Sequence, residues 1–214
     1  MFPTLNRKDG RSFLKIKKLT LMKFPTVVFI VLALLGAGHC QPVDDILPLD
    51  AGEKARLRQF EALPPSAQVH PVPENEPGTP LVVCGKLLHK GSQAPVPHTS
   101  MLVYHTDVRG DYQQRVQGKP ETARISGKVE TDEQGRFFIS TILPGRYSNK
   151  GPGGHNHLQV EGARPEGYTF QFSQYSSFGD KQFISSNDQF FLVELKRDEQ
   201  GRLVGFLDVP VRVM

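Results

Sequence analysis

Cysteine is scarce in this chain, with only Cys40 and Cys84 among its 214 residues. Two cysteines can form at most one disulfide, so the fold cannot depend on a set of disulfide bonds. Cys84 lies inside the apolar, strand-like run "LVVCGKLL". That position predicts a buried thiol.

Excess positive charge is missing from most of the chain, although the sequence pI is about 9.1. Residues 1–23 carry seven Lys or Arg residues against the single acidic residue Asp9. The whole chain has 26 basic and 22 acidic residues, so removing this segment leaves 19 basic and 21 acidic residues. A protein that binds nucleic acid through a basic surface is therefore not indicated.

A hydrophobic run long enough to span a bilayer comfortably is also missing. The apolar stretch "FPTVVFIVLALLGAG" at 24–38 follows the basic segment and ends in small residues. This order predicts a secretory signal over residues 1–40, with Met22 as a second candidate start, and hence an exported protein, secreted or periplasmic. A signal-anchor that stays in the membrane is the alternative. Cys40 stands where a lipoprotein cysteine would, which adds a lipid anchor as a further alternative, although His39 precedes it.

Convincing helical patterns are rare as well. Residues 41–80 are rich in proline and charge, which predicts a linker or arm outside the core, with one short helix candidate at 50–63. Residues 81–214 instead hold short β-type runs separated by turn residues, which predicts an all-β domain built as an antiparallel β-sandwich. The motif "DEQGR" occurs at 132–136 and at 198–202, and both copies predict glycine-containing hairpin loops. The predicted β-runs are LVVCGKLL, SMLVYHT, RISGKVET, RFFISTI, HNHLQV, YTFQFSQ, QFFLVEL and RLVGFLDVPVRV.

The stretch "PGRYSNKGPGGHNH" at 144–157 concentrates residues that can bind a metal. His155 and His157 alternate, so a strand would place both imidazoles on one face of a sheet, where they can share an ion. Tyr147 precedes them across a glycine-rich loop that leaves room for a ligand near the backbone. Alternating histidines on a strand are equally typical of an ordinary surface, so the pattern alone leaves both interpretations open.

Four motifs in a fixed order carry a resemblance to a known family. They are the D-x-x-G-x-Y element from Asp107 to Tyr112, "TDEQGRF" at 131–137, "PGRY" at 144–147 and "HNH" at 155–157. Over residues 81–210 the chain resembles the intradiol ring-cleavage dioxygenases, the family of catechol and protocatechuate dioxygenases. The resemblance implies that Tyr112, Tyr147, His155 and His157 bind a non-haem ferric ion, on loops and strand ends at one side of the sandwich.

The resemblance also implies a reaction and its partners. The substrate would be a catechol, which O2 cleaves between the two hydroxyl-bearing carbons to give a muconate-type dicarboxylate. Phenolate oxygen is a hard anionic donor that suits Fe(III), and imidazole completes a mixed oxygen and nitrogen donor set. An exported enzyme of this kind would fit detoxification or use of environmental aromatic compounds.

Some positions depart from the family pattern. The family usually has an arginine three residues before the first histidine, where this chain has Pro152, and Arg146 or Lys150 is the candidate replacement for its charge. Asn156 stands between the histidines in place of a branched apolar residue. Gln174 in "FSQYSSFGD" matches a family glutamine near the bound substrate if about two residues are inserted before it.

Two alternatives remain open at this point. The hairpin "VETDEQGRFFISTILPGRY" also resembles prealbumin-like and carboxypeptidase-regulatory-like sandwich modules, in which Tyr147 would only pack and the protein would be a non-catalytic binding module. The run "HNHLQVE" fits a cupin motif, with His155, His157 and Glu161 as metal ligands. A cupin needs another histidine downstream, and none follows His157.

Overall fold

The computed structural model describes residues 46–151 and 153–213, without the side chains of Asn149 and Phe178. The predicted signal segment, with Met22 and Cys40, lies outside the described residues, as does Pro152. Within the described ranges, no helix has the length and apolar character needed to cross a membrane.

The described chain contains two α-helices and ten β-strands. Helix α1 is Ala51–Glu61 and helix α2 is Phe178–Ser185. The strands are β1 Gln68–Val69, β2 Pro80–His89, β3 Ser100–His105, β4 Ile125–Glu130, β5 Arg136–Ile142, β6 Asn156–Val160, β7 Gly167–Phe172, β8 Phe190–Val193, β9 Leu195–Arg197 and β10 Leu203–Val211.

The strands form two five-stranded sheets that pack face to face, which confirms the predicted β-sandwich. Sheet I has the order β1-β5-β2-β10-β9, and sheet II has the order β4-β3-β6-β7-β8. The sheets are mixed rather than purely antiparallel, because β1 with β5, β2 with β10 and β7 with β8 run parallel. Alternating apolar residues predict which face of a strand is buried, but they carry no information on the direction of its neighbour.

The main hydrophobic core lies between the two sheets. Strand β3 shows how the sequence builds it, because Met101, Val103 and His105 alternate inward while the residues between them are less buried. Strand β2 is buried on both faces: Leu81, Val83 and Leu87 belong to the main core. Its alternate residues Val82 and Cys84 belong to a second cluster. Cys84 is a free, buried thiol, as its sequence context predicted.

Helix α1 covers that second cluster. Asp50 caps its N-terminus by accepting a hydrogen bond from the Glu53 N–H at 2.8 Å, and Glu53 accepts one from the Asp50 N–H at 2.9 Å. Leu57 and Phe60 are buried against the outer face of sheet I. The prediction that residues 41–80 lie outside the core is therefore wrong for this helix. Its few apolar residues alternate with charged ones in the sequence, so the pattern does not indicate a buried face.

Helix α2 was not predicted, and it connects β7 to β8. Parallel neighbours cannot be joined by a tight hairpin and need a crossover, which α2 supplies here. Ser177 caps the helix: its hydroxyl accepts a hydrogen bond from the Asp180 N–H, and its backbone N–H donates to the Asp180 carboxylate. Only eight residues long, α2 gives too short a periodic signal to stand out in the sequence.

Both "DEQGR" segments form tight turns, but only the second is the predicted hairpin, since it joins the antiparallel pair β9 and β10. The hairpin prediction is wrong for the first segment, which connects β4 in sheet II to β5 in sheet I. In the first, Asp132 Oδ1 accepts hydrogen bonds from the N–H groups of Gln134 and Arg136. In the second, Asp198 Oδ1 accepts from the N–H groups of Gln200 and Arg202 in the same way. The motif therefore recurs because the same hydrogen bonds from the backbone to an aspartate stabilise both turns.

Candidate metal centre

Four side chains predicted from the sequence meet at one end of the sandwich. The hydroxyl of Tyr112 lies 2.7 Å from the hydroxyl of Tyr147 and 2.8 Å from Nε2 of His157. The hydroxyl of Tyr147 lies 2.9 Å from Nε2 of His155. The two imidazole rings are 4.6 Å apart between centroids. Two phenol oxygens and two imidazole nitrogens thus converge on one small volume.

These residues come from three separate parts of the fold. Tyr112 lies in the loop after β3, and Tyr147 begins a short 3-10 turn after β5. His155 directly precedes β6, and His157 lies within that strand. Strand alternation places the two histidines on the same side of sheet II, as the His-x-His pattern predicted.

The loop that carries Tyr112 is held by Asp107, which is only 2% exposed. One carboxylate oxygen of Asp107 accepts hydrogen bonds from the N–H groups of Arg109 and Asp111, at 2.9 and 3.1 Å. The other accepts from Nε2 of Gln113 at 2.7 Å. Burial raises the pKa of Asp107, but hydrogen bonds from Asp111, Gln113 and Arg109 more than offset this and hold the pKa below its ordinary value.

The glycines of this region let two backbone segments touch. A Cβ atom on Gly110 would lie 2.0 Å from the carbonyl oxygen of Arg146. A Cβ on Gly145 would lie 2.3 Å from the carbonyl oxygen of Val108, and one on Gly154 would lie 2.2 Å from that of Gly145. The segments bearing Tyr112, Tyr147 and the histidines are therefore in direct backbone contact. The low side-chain bulk between Tyr147 and His155 serves this packing as well as access to the site.

His157 is oriented by two neighbours outside the group of four. Its Nδ1 lies 3.2 Å from the hydroxyl oxygen of Thr169 on β7, so Nδ1 can carry the proton and donate it to that oxygen. Tyr104, its cross-strand neighbour on β3, stacks on the imidazole at 4.7 Å between ring centroids. Outer partners of this kind fix the ring orientation and the tautomer of a metal-binding histidine. Here they leave the Nε2 lone pair facing the two tyrosines.

Burial sets the charge state of the group in the metal-free protein. It lowers the pKa of His155, and together with repulsion from His155 and His105 it lowers the pKa of His157 to about 4. Burial also raises the pKa of Tyr112, with a further contribution from its hydrogen bond to Tyr147. The imidazoles are therefore neutral, as metal binding requires, while a phenolate at Tyr112 needs a nearby cation to form.

The donor set fits a ferric ion. At metal–ligand bonds of about 2.0–2.2 Å, two ligands at a right angle lie roughly 3 Å apart. The three contacts among the donor atoms span 2.7–2.9 Å. The described residues contain no group of three or more His, Cys, Asp or Glu that could hold a metal, so any ion at this end of the fold would depend on the tyrosines. Two phenolates favour Fe(III) over softer or less charged ions.

A cleft of about 200 Å³ opens beside Tyr147 and His155. Its other walls include Arg146, Gln171 and Asp180. Of the two cations considered as replacements for the family arginine, Arg146 therefore lines the cleft, whereas Lys150 is an exposed residue outside its lining. Thr106 fixes one wall, since its hydroxyl donates to the carbonyl of Gly145 at 2.7 Å.

Gln174 is not among the residues that line this cleft. Its Nε2 donates to the carbonyl oxygen of Leu195 at 2.9 Å, and its Oε1 accepts from the Leu195 N–H at 3.0 Å. The amide thus connects the end of β7 in sheet II to β9 in sheet I. The glutamine in the cleft is Gln171, which shares a strand face with Thr169, the partner of His157. Strand parity counted from Thr169 would have identified it without any insertion.

The cupin alternative has no support from this geometry. Glu161 follows β6 and is exposed, and within the described part of the chain it joins no metal-binding group with His155 and His157. Tyrosines, which a cupin motif does not include, occupy the positions beside these histidines.

Comparison with known proteins gives a family and a fold. A family model described as dioxygenase matches residues 62–209. No curated protein matches the chain significantly. Among solved structures, the chain is similar to an intradiol ring-cleavage dioxygenase from Tetranychus urticae, with a TM-score of 0.50 and 18% identity over 67% of this chain and 85% of that one.

Two bacterial structures show the same likeness. One is the dioxygenase domain of a dioxygenase carbohydrate-binding protein fusion from Streptomyces sp. SirexAA-E, with a TM-score of 0.51 and 19% identity over 71% of this chain and 93% of that one. The other is catechol 1,2-dioxygenase from Acinetobacter radioresistens, with a TM-score of 0.50 and 14% identity over 69% and 57% of the two chains. At such identities these likenesses describe the fold, whereas the family model covers most of the sequence. The chain belongs to the intradiol ring-cleavage dioxygenase family.

Proposed function

We propose that this protein is an exported, Fe(III)-dependent intradiol dioxygenase that opens a catechol ring with O2 to give a muconate-type dicarboxylate. The observation that carries the proposal is the convergence of Tyr112, Tyr147, His155 and His157 beside an open cleft. When bound, Fe(III) supplies a Lewis acid and a redox centre for the catechol and O2. The prealbumin-like alternative requires neither this convergence nor a match to a dioxygenase family.

Tyr147 is the member of the group that an incoming catechol meets first. It is 48% exposed and lines the cleft with His155, whereas Tyr112 and His157 do not line it. As a phenolate, Tyr147 Oη can accept a proton from a catechol hydroxyl, because a catechol that enters the cleft would lie beside Tyr147. Its exposure then allows that proton to exchange with water.

Gln171 is placed to orient the substrate. Its side chain lines the cleft, and its Oε1 lies 3.4 Å from the hydroxyl oxygen of Ser176, a long contact. That contact leaves the amide N–H groups available to an oxygen of the substrate. We therefore assign to Gln171 the substrate-orienting role that the sequence alone suggested for Gln174.

The assignment of the ligands is tested by iron content and visible absorption. Tyr112→Phe and Tyr147→Phe should each remove much of the phenolate-to-ferric band of the iron-loaded protein, because each deletes one phenolate donor. Tyr168→Phe is the matched control, since Tyr168 is buried in the core between the sheets. His155→Ala and His157→Ala should each lower the iron content. Unchanged iron content in both histidine variants, or an equal loss of the band in all three tyrosine variants, contradicts the assignment.

Activity is tested separately by oxygen uptake with catechol and by identification of the product. A muconate-type dicarboxylate supports the proposal. Iron-loaded protein that binds catechol but consumes no oxygen would refute the enzyme while sparing the metal site.

Export is proposed from the sequence of residues 1–40 alone. Expression of the whole chain with N-terminal sequencing of the exported product is the test. A product that retains residues 24–38 would contradict a cleaved signal.

A further inference from the structure

The cleft beside the candidate metal centre carries two opposite charges. Arg146 directly precedes Tyr147, and Asp180 lies in the first turn of α2. Both residues line the same cleft as Tyr147 and His155. A catechol held at the metal centre would therefore share this cleft with both charges.

Neither charge is neutralised by a close partner among the described residues. Arg146 and Asp180 do not form an ion pair with each other there, and the guanidinium of Arg146 makes no hydrogen bond or ion pair to a described residue. Asp180 Oδ2 accepts from the N–H and the hydroxyl of Ser177, at 2.9 and 2.7 Å. Its Oδ1 accepts no hydrogen bond within the described part of the chain. One cation and one carboxylate oxygen are thus available to a ligand.

Both groups are charged at neutral pH. Hydrogen bonds from Ser177, with a smaller contribution from the charge of Arg146, hold the pKa of Asp180 below its ordinary value. An arginine side chain stays protonated in proteins. The two charges are only partly exposed, so a ligand that pairs with them is screened less than at an open surface.

We propose that Arg146 and Asp180 select catechols whose ring side chain carries both a carboxylate and an ammonium group, as in 3,4-dihydroxyphenylalanine. This inference rests on the proposed function and names its substrate class. A substituent of one sign is attracted by one of these residues and repelled by the other, whereas a zwitterionic substituent pairs with both. An unsubstituted catechol leaves both without a new partner.

Binding to the iron-loaded full chain without O2, followed through the visible band, tests the inference. The four probes are catechol, 3,4-dihydroxyphenylacetate as the anion, 3,4-dihydroxyphenethylamine as the cation and 3,4-dihydroxyphenylalanine as the zwitterion. Each partly exposed ion pair should strengthen binding by up to about fivefold. The zwitterion should therefore bind most tightly, by up to roughly 25-fold over unsubstituted catechol, which is the product of the two factors.

Two variants separate the charges, and affinities are compared as ratios to that of unsubstituted catechol. Asp180→Asn should abolish the preference for ammonium-bearing probes and improve the ratio for the anion, while the amide oxygen of the asparagine can still accept hydrogen bonds from Ser177. Arg146→Gln should abolish the preference for carboxylate-bearing probes and improve the ratio for the cation. Arg146→Lys should restore part of the preference for carboxylates. The controls Lys150→Gln and Glu166→Gln neutralise exposed charges outside the cleft and should leave all ratios unchanged.

The outcomes distinguish this inference from the function beneath it. Catechol binding with identical ratios in the wild-type protein and in both cleft variants overturns the selection by charge and leaves the dioxygenase proposal standing. If the affinity for all four probes changes by the same factor in both variants, Arg146 and Asp180 have a structural role, and this result also overturns the selection by charge. Absence of any catechol-induced spectral change refutes both proposals together.

Discussion

Tyr112 is one of two residues in the candidate metal centre whose hydroxyl contacts two other members, since it lies beside Tyr147 and His157. It lies in a loop, so no strand ladder fixes its position. Its place is set by the backbone contact of Gly110 with Arg146 and by the hydrogen bonds of Asp107. The geometry of the site therefore depends on Gly110 and Asp107, although neither is a candidate metal ligand.

Gly110→Ala should damage both stability and iron binding. Gly110 has a φ of +84°, and an added Cβ would lie 2.0 Å from the carbonyl oxygen of Arg146, which is backbone and cannot rotate away. The left-handed conformation and the clash together should cost about 2–5 kcal/mol. Denaturant unfolding gives the loss of stability, and metal analysis of the surviving folded protein should show less iron.

Gly118→Ala is the matched control for this substitution. Gly118 has a similar φ of +76°, but nothing lies within 4 Å of an added Cβ. It should cost only the conformational penalty, about 1–2 kcal/mol, with normal iron content. If the two variants lose the same stability and bind the same iron, close backbone contact does not shape the site.

At the residue scale, the sequence predicted the four donors but not the cleft around them. The His-x-His alternation and the motifs are local signals, and the structure places the four side chains that they indicated in contact with one another. Gln171 was missed because the sequence does not show that Thr169 contacts His157, and that contact is what identifies the face of β7 that points toward the site. Asp180 was missed because it belongs to a helix that the sequence did not predict.

Helix α1 shows at the element scale that the segment before β2 belongs to the folded domain. Phe60→Ala should destabilise the protein by about 3–5 kcal/mol, because Phe60 is 2% exposed and packs in the cluster on the outer face of sheet I. Thermal and denaturant unfolding measure the effect. Leu47→Ala, in the same segment but 57% exposed, should stay within about 0.5 kcal/mol of wild type. Equal stability of the two variants would mean that the segment is a detachable arm.

The eight predicted β-runs all fall on strands, because turn residues and alternation are strong local signals. The pairing of those strands was less predictable, since the parallel neighbours β2 and β10 are far apart in sequence. Strand β9 is three residues long, and the predicted run QFFLVEL includes only its first residue, Leu195. Sequence reasoning therefore missed the shortest elements and the pairing of strands that are far apart in the sequence.

The two sheets are joined at the scale of the whole molecule by buried polar contacts as well as by the apolar core. Nε2 of His105 on β3 lies 2.6 Å from the hydroxyl of Thr141 on β5, which connects sheet II to sheet I. Its Nδ1 lies 2.7 Å from the carbonyl oxygen of Thr106, so Nδ1 carries the proton and Nε2 accepts one from Thr141. His105 is completely buried, and burial lowers its pKa from 6.5 to about 4.

This lowered pKa makes the stability of the molecule depend on pH in a defined direction. The unfolded chain binds a proton at His105 near pH 6.5, whereas the folded chain resists it until about pH 4. The contribution of neutral His105 is therefore complete above pH 6.5, falls as the pH drops, and is lost by about pH 4. The loss amounts to roughly 3 kcal/mol. In the metal-free protein His157 adds a loss of the same sign, because its pKa is also lowered to about 4.

His105→Gln isolates the contribution of His105. The glutamine amide can still donate and accept hydrogen bonds but does not titrate, so the variant should be less stable at neutral pH yet show a shallower loss between pH 6.5 and 4. Unfolding of both metal-free proteins in denaturant at several pH values measures the two slopes. His98→Gln is the control, because His98 is exposed and its pKa is raised by Glu133, so removing it should not reduce the acid loss. Parallel curves for wild type and His105→Gln would show that His105 does not couple the packing of the two sheets to pH.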